Sequence, residues 1–340
     1  MGASEQEDDI GIKPGAIITS GKYNWVVVKL LGEGGFGAVY KVHDSGDKSQ
    51  EYAMKVEKKL EKRKHSKLKM EVAILKEMNG KPEYAKHFTN IVDRGKKEKY
   101  FFICMTLVGK SLDDLKRERP NRVFTMATAI GGSIQCLEAV AAMHKCGYIH
   151  RDLKPANYAC GLGKERRIVF LLDFGIARRI TNDDNELKTP RAQVGFKGTV
   201  RFASLACHHN KEMGPKDDCE SWYYLLIDLS CPSGLPWRKL SDKNDVMSSK
   251  EEIRSEKGLK RFLSDLPLVK TEFVKILQYV DRLEYSDRVD YNFIYELMAL
   301  AAINARANLD DPYDWEEEGK NKAESFRSRR CQRSLASQKF

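Results

Sequence analysis

A chain of 340 residues is long enough for one large two-lobed domain or two units of ordinary size. Its 41% hydrophobic and 32% charged residues exclude a disordered polymer and a fibre. Against 49 Asp and Glu, 59 Lys and Arg leave a net charge of +10, which favours anionic partners such as nucleotides, phosphates, acidic proteins, nucleic acid or a membrane surface without choosing among them.

Residues 1–21 read as a polar leader that includes the Pro14-Gly15 turn signal. From Tyr23 to Val56, the segments WVVVKLL, AVYKV and EYAMKV are rich in β-branched and aromatic residues and are separated by Gly- and Asp-containing turns, which predicts an antiparallel meander. In KLKMEVAILKEM, Leu68, Val72, Leu75 and Met78 recur at three- and four-residue steps, so one helix should pack on this sheet. YFFICMTLVG reads as a buried strand ending at Gly109, where the chain can hinge into a second lobe. Beyond it, 127–144, 222–229 and 270–283 read as helices of that larger lobe. After Pro312 the composition passes through Glu316-Glu317-Glu318 to Arg327, Arg329, Arg330 and Arg333, a charged tail over 313–340. The fold class is α+β, with a small lobe over about 22–108 and a larger, mostly helical one over about 109–312.

The eight cysteines, Cys104, Cys136, Cys146, Cys160, Cys207, Cys219, Cys231 and Cys331, form no C-x-x-C pair and read as reduced thiols. The acidic start MGASEQEDDI lacks the order of a signal peptide, and Gln6 stands where a myristoylation signal wants Ser or Thr. No apolar run approaches the roughly 18 residues that would span a bilayer. A cytosolic or nuclear protein is expected, with no membrane partner.

Four motifs carry chemistry. Gly32-Glu33-Gly34-Gly35-Phe36-Gly37-Ala38-Val39 fits G-x-G-x-x-G-x-V, and the strand signal after it suits a flap over phosphates, although an ordinary hairpin turn reads the same way. Ala53-Met54-Lys55 places a lysine between apolar neighbours of a strand, where a carboxylate from the packed helix can hold its ammonium against phosphates. Glu71 suits that role better than Glu57, which directly follows the strand, or Glu77. His150-Arg151-Asp152-Leu153-Lys154-Pro155-Ala156-Asn157 and the later Asp173-Phe174-Gly175 set two carboxylates, a lysine and an amide around a magnesium-phosphate cluster. In it Asp152 accepts the proton of a substrate hydroxyl, Lys154 neutralises the moving phosphoryl group, and Asn157 and Asp173 offer oxygens to Mg2+.

From Tyr23 to Pro312 the chain resembles eukaryotic protein kinases. Gly195-Phe196-Lys197-Gly198-Thr199-Val200-Arg201-Phe202-Ala203-Ser204-Leu205, Leu235-Pro236-Trp237-Arg238 and Asp311-Pro312-Tyr313-Asp314-Trp315 are similar to the casein kinase one group and its tau-tubulin kinase branch. The resemblance implies a bilobal serine/threonine kinase using ATP and Mg2+, with Val39, Ala53 and the gatekeeper Met105 around adenine and Thr106, Leu107 and Val108 as hinge. It also implies that Thr199 bridges to the catalytic loop and that Asp218 anchors that loop. With no Glu in the A-P-E position, an ion pair that braces the large lobe in many kinases should be missing.

Relatives in this group favour acidic or already phosphorylated protein substrates. Here Arg201 and Lys197, with Arg238, Lys239 and Lys243 downstream, offer a basic pocket for such anions, against the plainer reading of a solvated basic face. Lys58-Lys59-Leu60-Glu61-Lys62-Arg63-Lys64 reads as a solvated loop, and Thr189-Pro190 as a candidate phosphorylation site within reach of Arg151. A monomer is expected, and nucleic acid is not an expected partner.

Overall fold

The computed structural model describes residues 11–34, 37–59 and 66–316. The small lobe is one antiparallel sheet built from β1 (Ile17–Thr19), β2 (Asn24–Gly34), β3 (Gly37–Asp44), β4 (Asp47–Lys58), β5 (Ile91–Lys96) and β6 (Tyr100–Thr106), in the order β1-β2-β3-β4-β6-β5. Alternation along β3 turns Ala38, Tyr40 and Val42 inward, where they meet Trp25, Val27, Met54, Val56 and Phe102. The sheet curls on itself: Trp25 Nε1 donates to Asp93 Oδ2 at 2.7 Å, joining β2 to β5 from opposite sides of the strand order. Helix α1 (Lys67–Asn79) packs on this sheet through Leu68, Ile74, Leu75 and Met78, and the short α2 (Pro82–Ala85) follows it. Ser66 caps α1, and Glu57 at the end of β4 accepts the Lys67 and Leu68 amides at 2.9 and 3.0 Å. A carboxylate at this end matches both the free amides and the positive pole of the helix.

The large lobe contains α3 (Leu112–Arg117), α4 (Met126–Lys145), α5 (Leu205–His208), α6 (Pro215–Ser230), α7 (Lys243–Glu252), α8 (Glu256–Phe262), α9 (Lys270–Arg282) and α10 (Tyr291–Asn304). Two small sheets pair β7 (Tyr148–Ile149) with β10 (Arg178–Arg179) and β8 (Tyr158–Cys160) with β9 (Val169–Leu171). Its core is α4 against α6, joined where Trp222 Nε1 donates to Ser133 O at 2.8 Å. Helix α4 is long and apolar enough to cross a membrane by composition, yet most of it is buried inside the lobe.

Both ends of the domain differ from the compositional reading. Ile18, assigned to the leader, is 4% exposed in β1, where it pairs with Trp25. Tyr313–Glu316, assigned to the tail, fold into the large lobe. Asp314 accepts from the Thr125 amide and hydroxyl, both at 2.8 Å, so it caps α4 from outside that helix, and Tyr313 packs over Gly131. The charged residues that follow masked these aromatic contacts in the composition. The rest of the tail from 317, and Lys62-Arg63-Lys64 of the basic cluster, lie outside the described residues. The described cysteines are all free.

Candidate active site

The register of the sheet sets the roof of the cleft. Val39 stands opposite Lys55 and Lys55 opposite Ile103, while Ala53 stands opposite Met105, so these residues share neighbouring rungs of three strands. Leu107 follows β6 directly. The three motif glycines differ in what they permit. A Cβ on Gly37 would lie 1.9 Å from Val56 O, so this glycine lets β3 close on β4. Around Gly32 and Gly34 a Cβ would meet nothing within 4 Å among the described residues, which leaves their backbone open to a ligand. Gly35 and Phe36 lie outside the described residues.

Lys55 Nζ donates to Glu71 Oε2 at 2.6 Å and to Asp173 Oδ1 at 3.0 Å. Of the three candidate acids Glu71 is therefore the partner, because it shares the inward face of α1 with Leu68, Leu75 and Met78. Glu57 caps the helix instead, and Glu77 pairs with Lys81 at 2.6 Å. Burial works against the Lys55 charge, but the two carboxylates outweigh it and hold the ammonium above its ordinary range. Burial likewise opposes the Asp173 charge, and Lys55 prevails, keeping that carboxyl below its usual value. Phe174 is buried beside His150 and Phe88, which fixes Asp173 at a positive φ of 62° facing the cleft.

Below the cleft, Asp152 is held at both oxygens. Thr199 Oγ1 donates to Oδ1 at 2.7 Å, and Lys154 Nζ donates to Oδ2 at 2.8 Å and to Thr199 Oγ1 at 2.9 Å. Gly198 makes this approach possible, since a Cβ there would lie 2.4 Å from Arg151 O. Asn157 Nδ2 donates to Asp152 O at 2.8 Å. The loop backbone hangs on Asp218, which accepts the His150 and Arg151 amides at 2.7 and 2.9 Å. Burial would raise the Asp218 carboxyl, but its bond to His144 at 2.9 Å outweighs this and keeps it low.

The donor set suits a hard divalent cation. The Asn157 amide nitrogen is committed to Asp152, which leaves its oxygen for a ligand beside the carboxylate of Asp173. Among the described residues no cluster of three His, Cys, Asp or Glu forms a metal cage, so a cation here would complete its shell with phosphate and water oxygens.

The lobe is braced without the A-P-E glutamate. Arg254 pairs with Glu220 at 2.9 Å and Asp281 at 2.8 Å, and Glu220 also accepts the Leu205 amide at 3.0 Å. The buried Lys250 donates to Val200 O and Ala203 O at 2.9 and 2.6 Å, with the Tyr224 and Trp237 rings around it. Glu212, its side chain 2% exposed, binds Arg191 through both oxygens and lies 3.6 Å from Arg178. Sequence reading misses Lys250 and Glu212, because their partners lie 21 to 50 residues away and no local pattern marks them.

Arg201 is exposed, and its guanidinium reaches Arg238 O at 3.1 Å. Lys243 lies over the Phe196 ring at 4.5 Å, next to the exposed Lys197. Arg201, Arg238, Lys197, Lys239 and Lys243 pair with no carboxylate among the described residues.

A small curled sheet over a helical lobe, with a lysine-glutamate pair above a cradled aspartate, defines a phosphotransferase of the protein kinase class. The family profile described as protein kinase domain matches residues 25–292, and the chain belongs to that family. Proteins named as serine/threonine kinases are among those it is similar to. The Caenorhabditis elegans serine/threonine-protein kinase spe-6 is 32% identical over 92% of this chain and 82% of its own. A Dictyostelium discoideum protein named as a serine/threonine-protein kinase is 33% identical over 91% of this chain, which spans 59% of that relative's length. A C. elegans protein named as a casein kinase I is 30% identical over 90% of this chain and 86% of its own. Enzymes of this family use ATP and a divalent metal.

Proposed function

We infer that the chain transfers the γ-phosphate of ATP, with Mg2+, to serine and threonine hydroxyls of proteins, favours acidic or prephosphorylated sites, and falls in the tau-tubulin kinase branch of the casein kinase one group. The observation that carries the reading is the unbroken set Glu71-Lys55-Asp173 above and Thr199-Lys154-Asp152 below. Lys55 steadies the nucleotide phosphates, and Glu71 keeps its ammonium aimed at them. The open backbone at Gly32 and Gly34 covers the same phosphates. Asp152 accepts the proton of the incoming hydroxyl, and its two side-chain partners fix the direction of its oxygens. Lys154 offsets negative charge as the phosphoryl group moves. Asn157 and Asp173 would hold Mg2+, which supplies charge neutralisation across the phosphates. One chain provides all these groups, so a monomer suffices.

The substrate preference rests on Arg201 and Lys197. An exposed guanidinium and an exposed ammonium, paired with no carboxylate among the described residues, can take a carboxylate or phosphate of the substrate. The test is transfer from magnesium-ATP to matched acidic, phosphoprimed and basic peptides. Asp173→Asn should abolish transfer, and Arg201→Ala should erase the acidic preference while sparing the basic peptide. An unchanged preference in Arg201→Ala would refute the anion site, and no transfer by folded, nucleotide-binding wild type would refute the activity.

A further inference from the structure

Strand β4 holds helix α1 at two points. Lys55 and Glu57 lie two residues apart in β4, so alternation turns both side chains to one face, the face that meets α1. Lys55 reaches Glu71 at 2.6 Å. Glu57, 6% exposed, accepts the Lys67 and Leu68 amides at 2.9 and 3.0 Å and also the Ser66 hydroxyl. Along the helix Lys67 and Glu71 are about 5.4 Å apart, one turn, and along the strand Lys55 and Glu57 are about 6.7 Å apart. The two ties are therefore parallel rungs between one strand and one helix. A single rung at Lys55 would let α1 pivot about it, and the second removes that freedom. Gly37 meets the same point: it stands opposite Glu57 in the sheet, and a Cβ on it would lie 3.2 Å from Glu57 Cα.

The source of the acid sets this helix apart. A helix commonly balances its positive pole with a carboxylate of its own first turn, as α3 does with Asp113 and Asp114, and such an acid moves with the helix. The first turn of α1, Lys67-Leu68-Lys69-Met70, contains none, and Ser66 already takes the Lys69 amide at 3.2 Å. The acid of α1 comes instead from the strand that carries Lys55. We propose that Glu57 is a positioning residue for phosphotransfer: it fixes α1 to β4 so that Glu71, one turn on, keeps the Lys55 ammonium aimed at the nucleotide phosphates. The proposal rests on the phosphotransfer reading of Lys55 and adds to it a residue that acts through the helix backbone.

The test separates capping from positioning. Glu57→Leu cuts the tie, and Ser66→Asp added to it returns a carboxylate to the helix end without rejoining α1 to β4. Thermal melting and transfer from labelled magnesium-ATP to a peptide are measured on the full chain. Glu57→Leu with Ser66→Asp should melt close to wild type yet transfer about 10- to 100-fold more slowly, as follows when a reacting group is displaced by about 1 Å. Glu57→Gln, which keeps the shape of the side chain and one acceptor oxygen, should fall between the two. Glu77→Gln, which removes another acid of α1, should match wild type. The second readout is a double-mutant cycle with Glu71→Gln. Because Glu57 acts through Glu71, Glu57→Leu should cost less than about twofold further in that background. Turnover restored by Ser66→Asp would reduce Glu57 to a helix cap and overturn the proposal, as would a full loss on top of Glu71→Gln. Unfolding of both Glu57→Gln and the capped Leu variant would assign the residue to stability alone and overturn it too. No transfer by the folded wild type would refute the activity itself, and the positioning role with it.

Discussion

Replacing Thr199 by Val removes one hydroxyl and changes little else. That hydroxyl donates to Asp152 Oδ1 at 2.7 Å and accepts from Lys154 Nζ at 2.9 Å, so it locks the proton acceptor and its neighbouring cation together. A hydrogen bond to a charged group contributes about 1.5–3 kcal/mol net. The Asp152 and Lys154 side chains are 13% and 25% exposed, so water partly replaces the lost partner and the lower end of that range applies. About 1.5–2 kcal/mol corresponds to a fall of roughly 10- to 30-fold in turnover. The contact is made to reacting groups and not to the nucleotide, so kcat should drop while KM for ATP holds. Thr199→Ser keeps the hydroxyl and should stay within about threefold of wild type. Steady-state phosphotransfer with varied ATP distinguishes the cases. A Val variant within twofold of wild type, or a loss confined to ATP affinity, would refute the bridging role of Thr199.

Gly37→Ala places a Cβ 1.9 Å from Val56 O, which must force β3 from β4 and cost about 1–3 kcal/mol of stability. Gly34→Ala meets nothing among the described residues and should melt like wild type while weakening ATP binding; equal melting of the two variants would undo this division of roles. Burial would raise the Glu212 carboxyl, but Arg191 and Arg178 hold it below its ordinary 4.5. Because the folded-state value is the lower one, its stabilisation is complete above 4.5 and is lost as pH falls through the folded value. Thermal unfolding of wild type against Glu212→Gln should therefore show a gap that is constant near neutrality and closes in acid, and a gap that widens in acid would contradict the pairing. Burial draws the Lys250 ammonium from 10.5 to about 7. The unfolded chain binds the extra proton between those values, so wild-type stability should climb with pH across that window relative to Lys250→Met. A flat difference between the two proteins would show that the ammonium keeps its ordinary value.

Legibility in the sequence followed the range of the interactions. The meander, α1 and the loop from His150 to Asn157 are written in neighbouring residues, through alternation, three- and four-residue steps, and fixed spacing. The choice of Glu71 over Glu57 and Glu77 was also local, because helical periodicity alone places Glu71 beside Leu68 and Leu75. β5 was not legible. IVDRGK is too polar to read as a strand, and it pairs because Asp93 closes the curled sheet onto Trp25, 68 residues earlier. Tyr313–Glu316 were lost for the same reason, since the contact that folds Asp314 is with Thr125, 189 residues away.

The same distinction explains how the segment from Gly198 to Leu205 keeps its place without the glutamate that many kinases use. Four separate groups hold the surrounding stretch: Asp152 takes the Thr199 hydroxyl, Lys250 takes the carbonyls of Val200 and Ala203, Glu220 takes the Leu205 amide, and Glu212 ties Arg191 back to the large lobe. Each lies far from its partner in sequence, so no single motif records the device. All four are supplied by the chain itself. Arg151, which could receive a phosphate at Thr189, already spends its Nε on Ile176 O at 2.7 Å, and the nearby Arg178 and Arg191 already face the buried carboxylate of Glu212. A phosphate at Thr189 would thus compete with an anion already in place, and the arrangement around Asp152 is complete without it.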